Sequence, residues 1–142
     1  MGVTDIGNMG AAMAPAFINT LKTHLDALKR QPSYYDLILS GDLGIIGKSI
    51  AKELMQKEGM GELSNYDDCG AMIFDRELQD THAGGSGCGC AASMLCGYVL
   101  SEMKKGRIKN VLFAATGALM SPTATFQGES IPSVSHAISI NI

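Results

Sequence analysis

Asp80-Thr-His-Ala-Gly-Gly-Ser-Gly-Cys-Gly-Cys-Ala-Ala-Ser93 places four glycines and two cysteines in the seven residues from Gly84 to Cys90, then opens onto an apolar stretch with helical spacing. A loop this rich in glycine lets the backbone approach a ligand closely and aim N–H groups at it. The helix N-terminus beside it favours negative charge. The loop is therefore the leading binding-site candidate, and the elements on either side of it decide the fold.

Downstream, Ala91, Leu95, Tyr98, Val99 and Met103 recur at helical intervals, Lys104 and Lys105 suit the C-terminal end of a helix dipole, and Gly106 ends it. Asn110 to Thr116 and Ser133 to Ile140 read as strands joined by the segment from Gly117 to Pro132. Upstream, Gly61 to Asp80 carries a weaker pattern, with Ser64 to Asp68 as a polar turn and Met72 to Phe74 as a short strand. Tyr35 to Leu39 is an apolar run closed by Ser40-Gly41-Asp42, and Ile46, Ile50, Leu54 and Met55 follow at helical spacing until Gly59. Near the start, Pro15 suits a first helical turn, followed by Met13, Phe17, Leu21, Leu25 and Leu28 on one face of a helix of about 15 to 20 residues. Strands alternating with helices predict an α/β layered fold, a mixed and mostly five-stranded sheet packed by helices, over residues 1–142 as a single domain.

A chain of 142 residues with 46% hydrophobic content can bury a core without disulfides. Its net charge of −3, with no basic run, provides no footprint for nucleic acid. No apolar stretch reaches the roughly 18 residues of a membrane span, and the N-terminus has no signal-peptide pattern, so the chain is expected to be soluble and intracellular. Cys69, Cys88, Cys90 and Cys96 lack paired C-x-x-C spacing and are expected to be free thiols, with no metal site.

Two stretches of the chain carry residue types used in catalysis. Asp42-Leu-Gly-Ile-Ile-Gly-Lys-Ser49 follows a strand and ends in Gly-Lys-Ser, but a phosphate loop needs glycine where Asp42 stands, and a carboxylate there repels phosphate. Lys48 and Ser49 are then expected on the solvated first turn of a surface helix. Cys88 or Cys90 at a helix entrance could act as a nucleophile, but the sequence offers only His82 nearby as a base. His24 reads as lying on the polar side of the first helix, and His136 within the last strand. Cys69 and Cys96, with Met13, Met55, Met94 and Met103, are expected to pack in the core.

From Gly85 through Ile140, the glycine turn, the helix ending in Lys-Lys-Gly-Arg-Ile-Lys109, the strand, the long hairpin and the last strand resemble the C-terminal half of a thiolase-like condensing enzyme. Asn8-Met-Gly-Ala-Ala-Met-Ala-Pro15, Ser40-Gly-Asp-Leu-Gly44 and Asp80 to Cys90 resemble, more closely, the stage V sporulation protein AD family of spore-forming bacteria. The resemblance runs through essentially the whole chain but covers the second half of that family's proteins, so a C-terminal fragment is expected. Condensing enzymes draw a histidine and an asparagine from this half. Here Ser40-Gly41 stands where the histidine belongs and Cys88 where the asparagine belongs. Glycine carries no proton and a thiol is a poor amide substitute, so the resemblance implies a degenerate, non-catalytic fold.

It also implies binding of dipicolinic acid, alone or as its calcium chelate, for uptake into the developing spore, with no other cofactor. Ser40, Gly41, Asp42, His82, Gly85, Ser86, Gly87, Cys88, Gly89 and Cys90 are the expected ligand-binding residues. Expected partners are other proteins of the same sporulation operon, membrane proteins among them, which would hold the chain peripherally at the forespore or inner spore membrane. The alternatives are a residual acyl-thioester condensing or acyl-transferase half and a structural module of a spore membrane complex. A thiolase-like half would expose apolar faces of the helices at Met13 to Leu28 and Ala91 to Met103, and a homodimer is expected to cover them.

Overall fold

The computed structural model describes residues 2–142. Helix α1 (Met9–Leu28) is followed by a short 3-10 turn (Pro32–Tyr34), strand β1 (Leu37–Ser40) and helix α2 (Gly44–Lys57). Strand β2 (Tyr66–Asp68), helix α3 (Cys69–Met72) and a long loop lead to helix α4 (Cys88–Ser93). Helix α4 runs through a π-helical segment (Met94–Val99) into α5 (Leu100–Lys104), and strand β3 (Asn110–Ala118), a helical turn α6 (Pro122–Phe126) and strand β4 (Ser133–Asn141) complete the chain. The sheet order is β2-β1-β3-β4, with β1 parallel to β2 and β3, and β3 antiparallel to β4.

Strand alternation divides the core. Ile38 and Leu112 face α1 and α2, where they meet Phe17, Leu21, Met55 and Tyr66. Leu39, Val111 and Phe113 face the opposite side and pack on Met94, Val99 and Met103. Helices therefore cover both faces of the parallel part of the sheet, the arrangement that near-continuous apolar strands require. The α/β class holds, with four strands in place of five.

Several local expectations are corrected. Asn8, not Pro15, opens α1: its side chain accepts from the Ala11 amide at 3.0 Å, and Pro15 lies inside the helix on its exposed side. The small residues Gly10, Ala12 and Ala14 already belong to the buried face. The segment read as a polar turn contains β2, because Tyr66 and Asp68 point inward from the edge of the sheet. Met72 belongs to helix α3 instead of a strand, since the Asp68 side chain caps that helix by accepting from the Ala71 amide. The α1 face from Met13 to Leu25 is buried against the sheet and α2, so it is not an exposed surface. In the second helix it is Ala92, Ser93, Cys96, Gly97 and Tyr98 that face out; Cys96 is thus exposed and not a packing residue. The four methionines do pack in the core.

Candidate functional site

At the carboxyl ends of β1 and β2 the chain buries a carboxylate. Ser40 and Asp68 stand opposite each other in register, both fully buried. Asp68 accepts from Ser40 Oγ at 2.7 Å and from the amides of Leu43, Gly44 and Ala71 at 2.9, 2.9 and 3.0 Å. Ser40 Oγ in turn lies 2.9 Å from the Tyr66 hydroxyl, which donates to it because the serine proton is committed to the carboxylate. Burial pushes the Asp68 carboxyl up from its usual range, and the Ser40 hydroxyl with the three amides opposes that push. The buried Tyr66 hydroxyl is likewise pushed up by desolvation. This network fixes the start of α2 and the start of α3 to one group.

Asp42, just beyond, holds the glycine loop. Its Oδ2 accepts from the Gly87 amide at 2.6 Å and its Oδ1 from Thr116 Oγ1 at 2.9 Å, while Thr116 Oγ1 accepts from the Asp42 amide at 3.2 Å. Gly41 lets the chain pass β3 closely, since a Cβ there would stand 2.8 Å from the Thr116 amide nitrogen. The expected cradle of free loop amides is therefore partly filled by the protein's own carboxylate: Gly87 N–H faces Asp42, and Gly85 N–H donates to the Gly70 carbonyl at 2.8 Å.

The glycines divide by role. Gly84 and Gly85 are packing positions, because a Cβ on either would come within 2.6 Å of backbone at Gly70 or the Ile73 side chain. Gly87 and Gly89 face open space, with Gly87 at φ 92° beginning α4. Gly47, part of the Gly-Lys-Ser run, touches Gly10 where α1 crosses α2; a Cβ on Gly47 would be 2.8 Å from Gly10 Cα. The run thus serves helix crossing, and Lys48, half-buried, pairs with Asp67 at 2.5 Å instead of standing in solvent.

A cleft of about 260 Å³ opens between the start of α1, the β1–α2 turn and the glycine loop, walled by residues 6–10, 42–44, 46 and 83–86. All three motifs singled out in the sequence meet there. Of the expected ligand residues, Asp42, Gly85 and Ser86 line it. Ser40 and Gly41 lie beneath it, and Gly87 to Cys90 run away along α4. His82 is almost fully exposed at φ 47°, its Nδ1 3.2 Å from Asp80, and does not reach the cleft. Asn8, Gly10 and Ile46 are additional wall residues; the Asn-Met-Gly motif is the sequence signal for the first two, and Ile46 shows only as an apolar helix position. No histidine or cysteine lines the cleft. Burial, with Asp42 and Asp68 nearby, pushes the Cys90 thiol up and away from thiolate character. His24 lies 2.5 Å from the Tyr35 hydroxyl, its ring half-buried, and His136 stands opposite Ala115 on β4.

A mixed α/β unit with a glycine-walled, carboxylate-bearing cleft at the carboxyl ends of its parallel strands has its concavity at the edge where open sheets of this class carry their ligand sites. The model for the stage V sporulation protein AD family matches residues 1–141, and the chain belongs to that family. It is 41% identical over 138 residues to the stage V sporulation protein AD of Bacillus subtilis (strain 168), covering 97% of this chain and 40% of that relative. The chain therefore spans about two fifths of the length of the curated relative it matches.

Proposed function

We propose that this sporulation protein is a non-catalytic, thiolase-like ligand binder whose cleft takes dipicolinate as its calcium chelate during uptake into the spore. The observation that carries the reading is the convergence of the three family-like motifs on one cleft with Asp42 at its wall. A free dianion would meet the Asp42 carboxylate, whereas a chelate presents calcium to it. Each Asp42 oxygen accepts one hydrogen bond and keeps a lone pair for the metal. Among the described residues no three His, Cys, Asp or Glu side chains gather to hold a metal ion, so calcium would arrive with its chelator and Asp42 would add one ligand. The small walls of residues 83–86 leave room for a flat ring.

Ser40, where a condensing enzyme carries histidine, is committed to Asp68 and Tyr66, which supports binding over acyl transfer. No helix of the described residues is long and apolar enough to cross a membrane. Placement at the forespore or inner spore membrane, through membrane proteins of the same operon, is part of this proposal. Calorimetric titration of dipicolinate, with and without calcium, into this chain and into the longer family protein tests it. Calcium-dependent heat that Asp42→Asn weakens is expected, and no binding to either protein overturns it in favour of a structural module.

A further inference from the structure

Along α2, Ile45, Lys48, Ser49 and Lys52 fall at i, i+3, i+4 and i+7 and so share one stripe of the helix. Arg76, from the loop after α3, closes over that stripe beside Ala71, and the six residues wall a pocket of about 300 Å³. Three cations thus meet around one concavity in a chain whose net charge is −3. Lys48 is held by Asp67, but among the described residues Lys52 and Arg76 form no ion pair. Like charges gathered at an open pocket repel one another and raise the local concentration of anions. Arginine adds a planar fork suited to two oxygens of one group, lysine a point charge, and Ser49 a hydroxyl donor. Ile45 and Ala71 give the pocket an apolar floor.

We propose that this pocket is a second binding site, for a small oxyanion carrying at least two negative charges, either a phosphate group or a polycarboxylate. Lys52 and Arg76 grip it, and Lys48 is shared between it and Asp67. The assignment stands independently of the dipicolinate reading, because the two sites share no wall residue.

Inorganic phosphate and citrate, titrated separately into the full chain, test it. The K52Q/R76Q double variant changes two side chains outside the core, and circular dichroism verifies that it folds. Lys22→Gln, which alters a cation paired with Glu58 outside the pocket, is the control. Saturable binding of either probe that weakens tenfold or more in the double variant and is unchanged in the control is expected; phosphate alone or citrate alone names the ligand chemistry. Absence of saturable binding by both probes, or binding indifferent to the double variant, overturns the proposal.

Discussion

Ser40 and Asp68 face each other across the β1–β2 ladder, Oγ to Oδ2 at 2.7 Å, with neither side chain open to solvent. Every acceptor position that the carboxylate uses meets a donor, two on each oxygen. Asp68→Asn would turn one of those oxygens into an NH2 that faces two donors. Leaving buried donors unpaired beside a lost charge-assisted set destabilises by about 2 to 4 kcal/mol. Chemical denaturation should show that loss. A variant as stable as the parent would mean that the carboxylate does not organise the β1–α2 turn.

Gly10, in the cleft wall, and Gly89, outside it on α4, make opposite predictions. At Gly10 a Cβ would stand 2.4 Å from the Leu43 carbonyl oxygen and 2.9 Å from Gly47 Cα, so Gly10→Ala forces α1 and α2 apart and should destabilise by about 1 to 3 kcal/mol. At Gly89 nothing lies within 4 Å, and the residue is inside the first turn of α4. Gly89→Ala should stabilise by about 0.5 to 1 kcal/mol, as alanine does in a helix. Paired melting curves for the two variants check both signs at once.

The sequence made α1, α2, the helical run from α4 to α5, and β3 and β4 legible because each has enough residues for its period to show, whereas the four-residue α3 read as a strand and the five-residue α6 fell in the segment joining β3 to β4. It did not reveal β2, where Tyr66 and Asp68 occupy the inward positions of a three-residue strand and an aspartate on a core face reads as a turn. Pro15 misplaced the start of α1: it stands in the helix interior, where it gives up one backbone hydrogen bond, and the cap lies two turns earlier at Asn8. For the site, Asp42 and the glycine loop stood out. That the aspartate would satisfy a loop amide 45 residues away is a tertiary fact with no local signature. His82 neighbours the glycine loop in sequence, but its exposed ring stands outside the cleft.

Asp36 ties the entry of β3 to the start of β1, its Oδ2 accepting from the amides of Lys109 and Asn110 at 2.8 and 2.9 Å. The Asn110 amide first, then that of Lys109, holds its carboxyl below the ordinary value of 3.8. A folded-state value below the unfolded one makes this contribution complete above the unfolded value, and it is lost as pH falls through the folded value. The side chain is exposed, so the effect is about 1 kcal/mol after screening. Thermal melts of the parent and Asp36→Asn from pH 7 to pH 2 should converge in acid. Parallel curves would contradict the linkage.

The four thiols should separate into two pairs. Cys88 and Cys96 are exposed, while Cys69 and Cys90 are buried. Burial, with Asp68 adding to it, pushes the Cys69 thiol up to about 12. Since the thiolate is the reactive form, a maleimide at neutral pH should modify two cysteines rapidly in the native protein and all four only after denaturation. Mass spectrometry of the labelled peptides should place the fast pair at positions 88 and 96; early labelling of Cys69 would mean that the α3 region opens.

Self-association, as we propose it, moves from the helices to the sheet. β4 is the longer of the two outer strands, nine residues against three in β2, and it carries Val134 and Ile138 on one face at 56% and 50% exposure. A long edge strand with apolar side chains can pair with another strand, and a second copy of this chain would supply one by two-fold pairing. A lysine at Ile138 would set like charges near each other across that junction and discourage docking on the apolar face. Sedimentation velocity should show a dimer for the parent and a shift to monomer for Ile138→Lys, with the fold intact because the side chain is outside the core. A parent that remains monomeric as concentration rises would remove β4 as the contact.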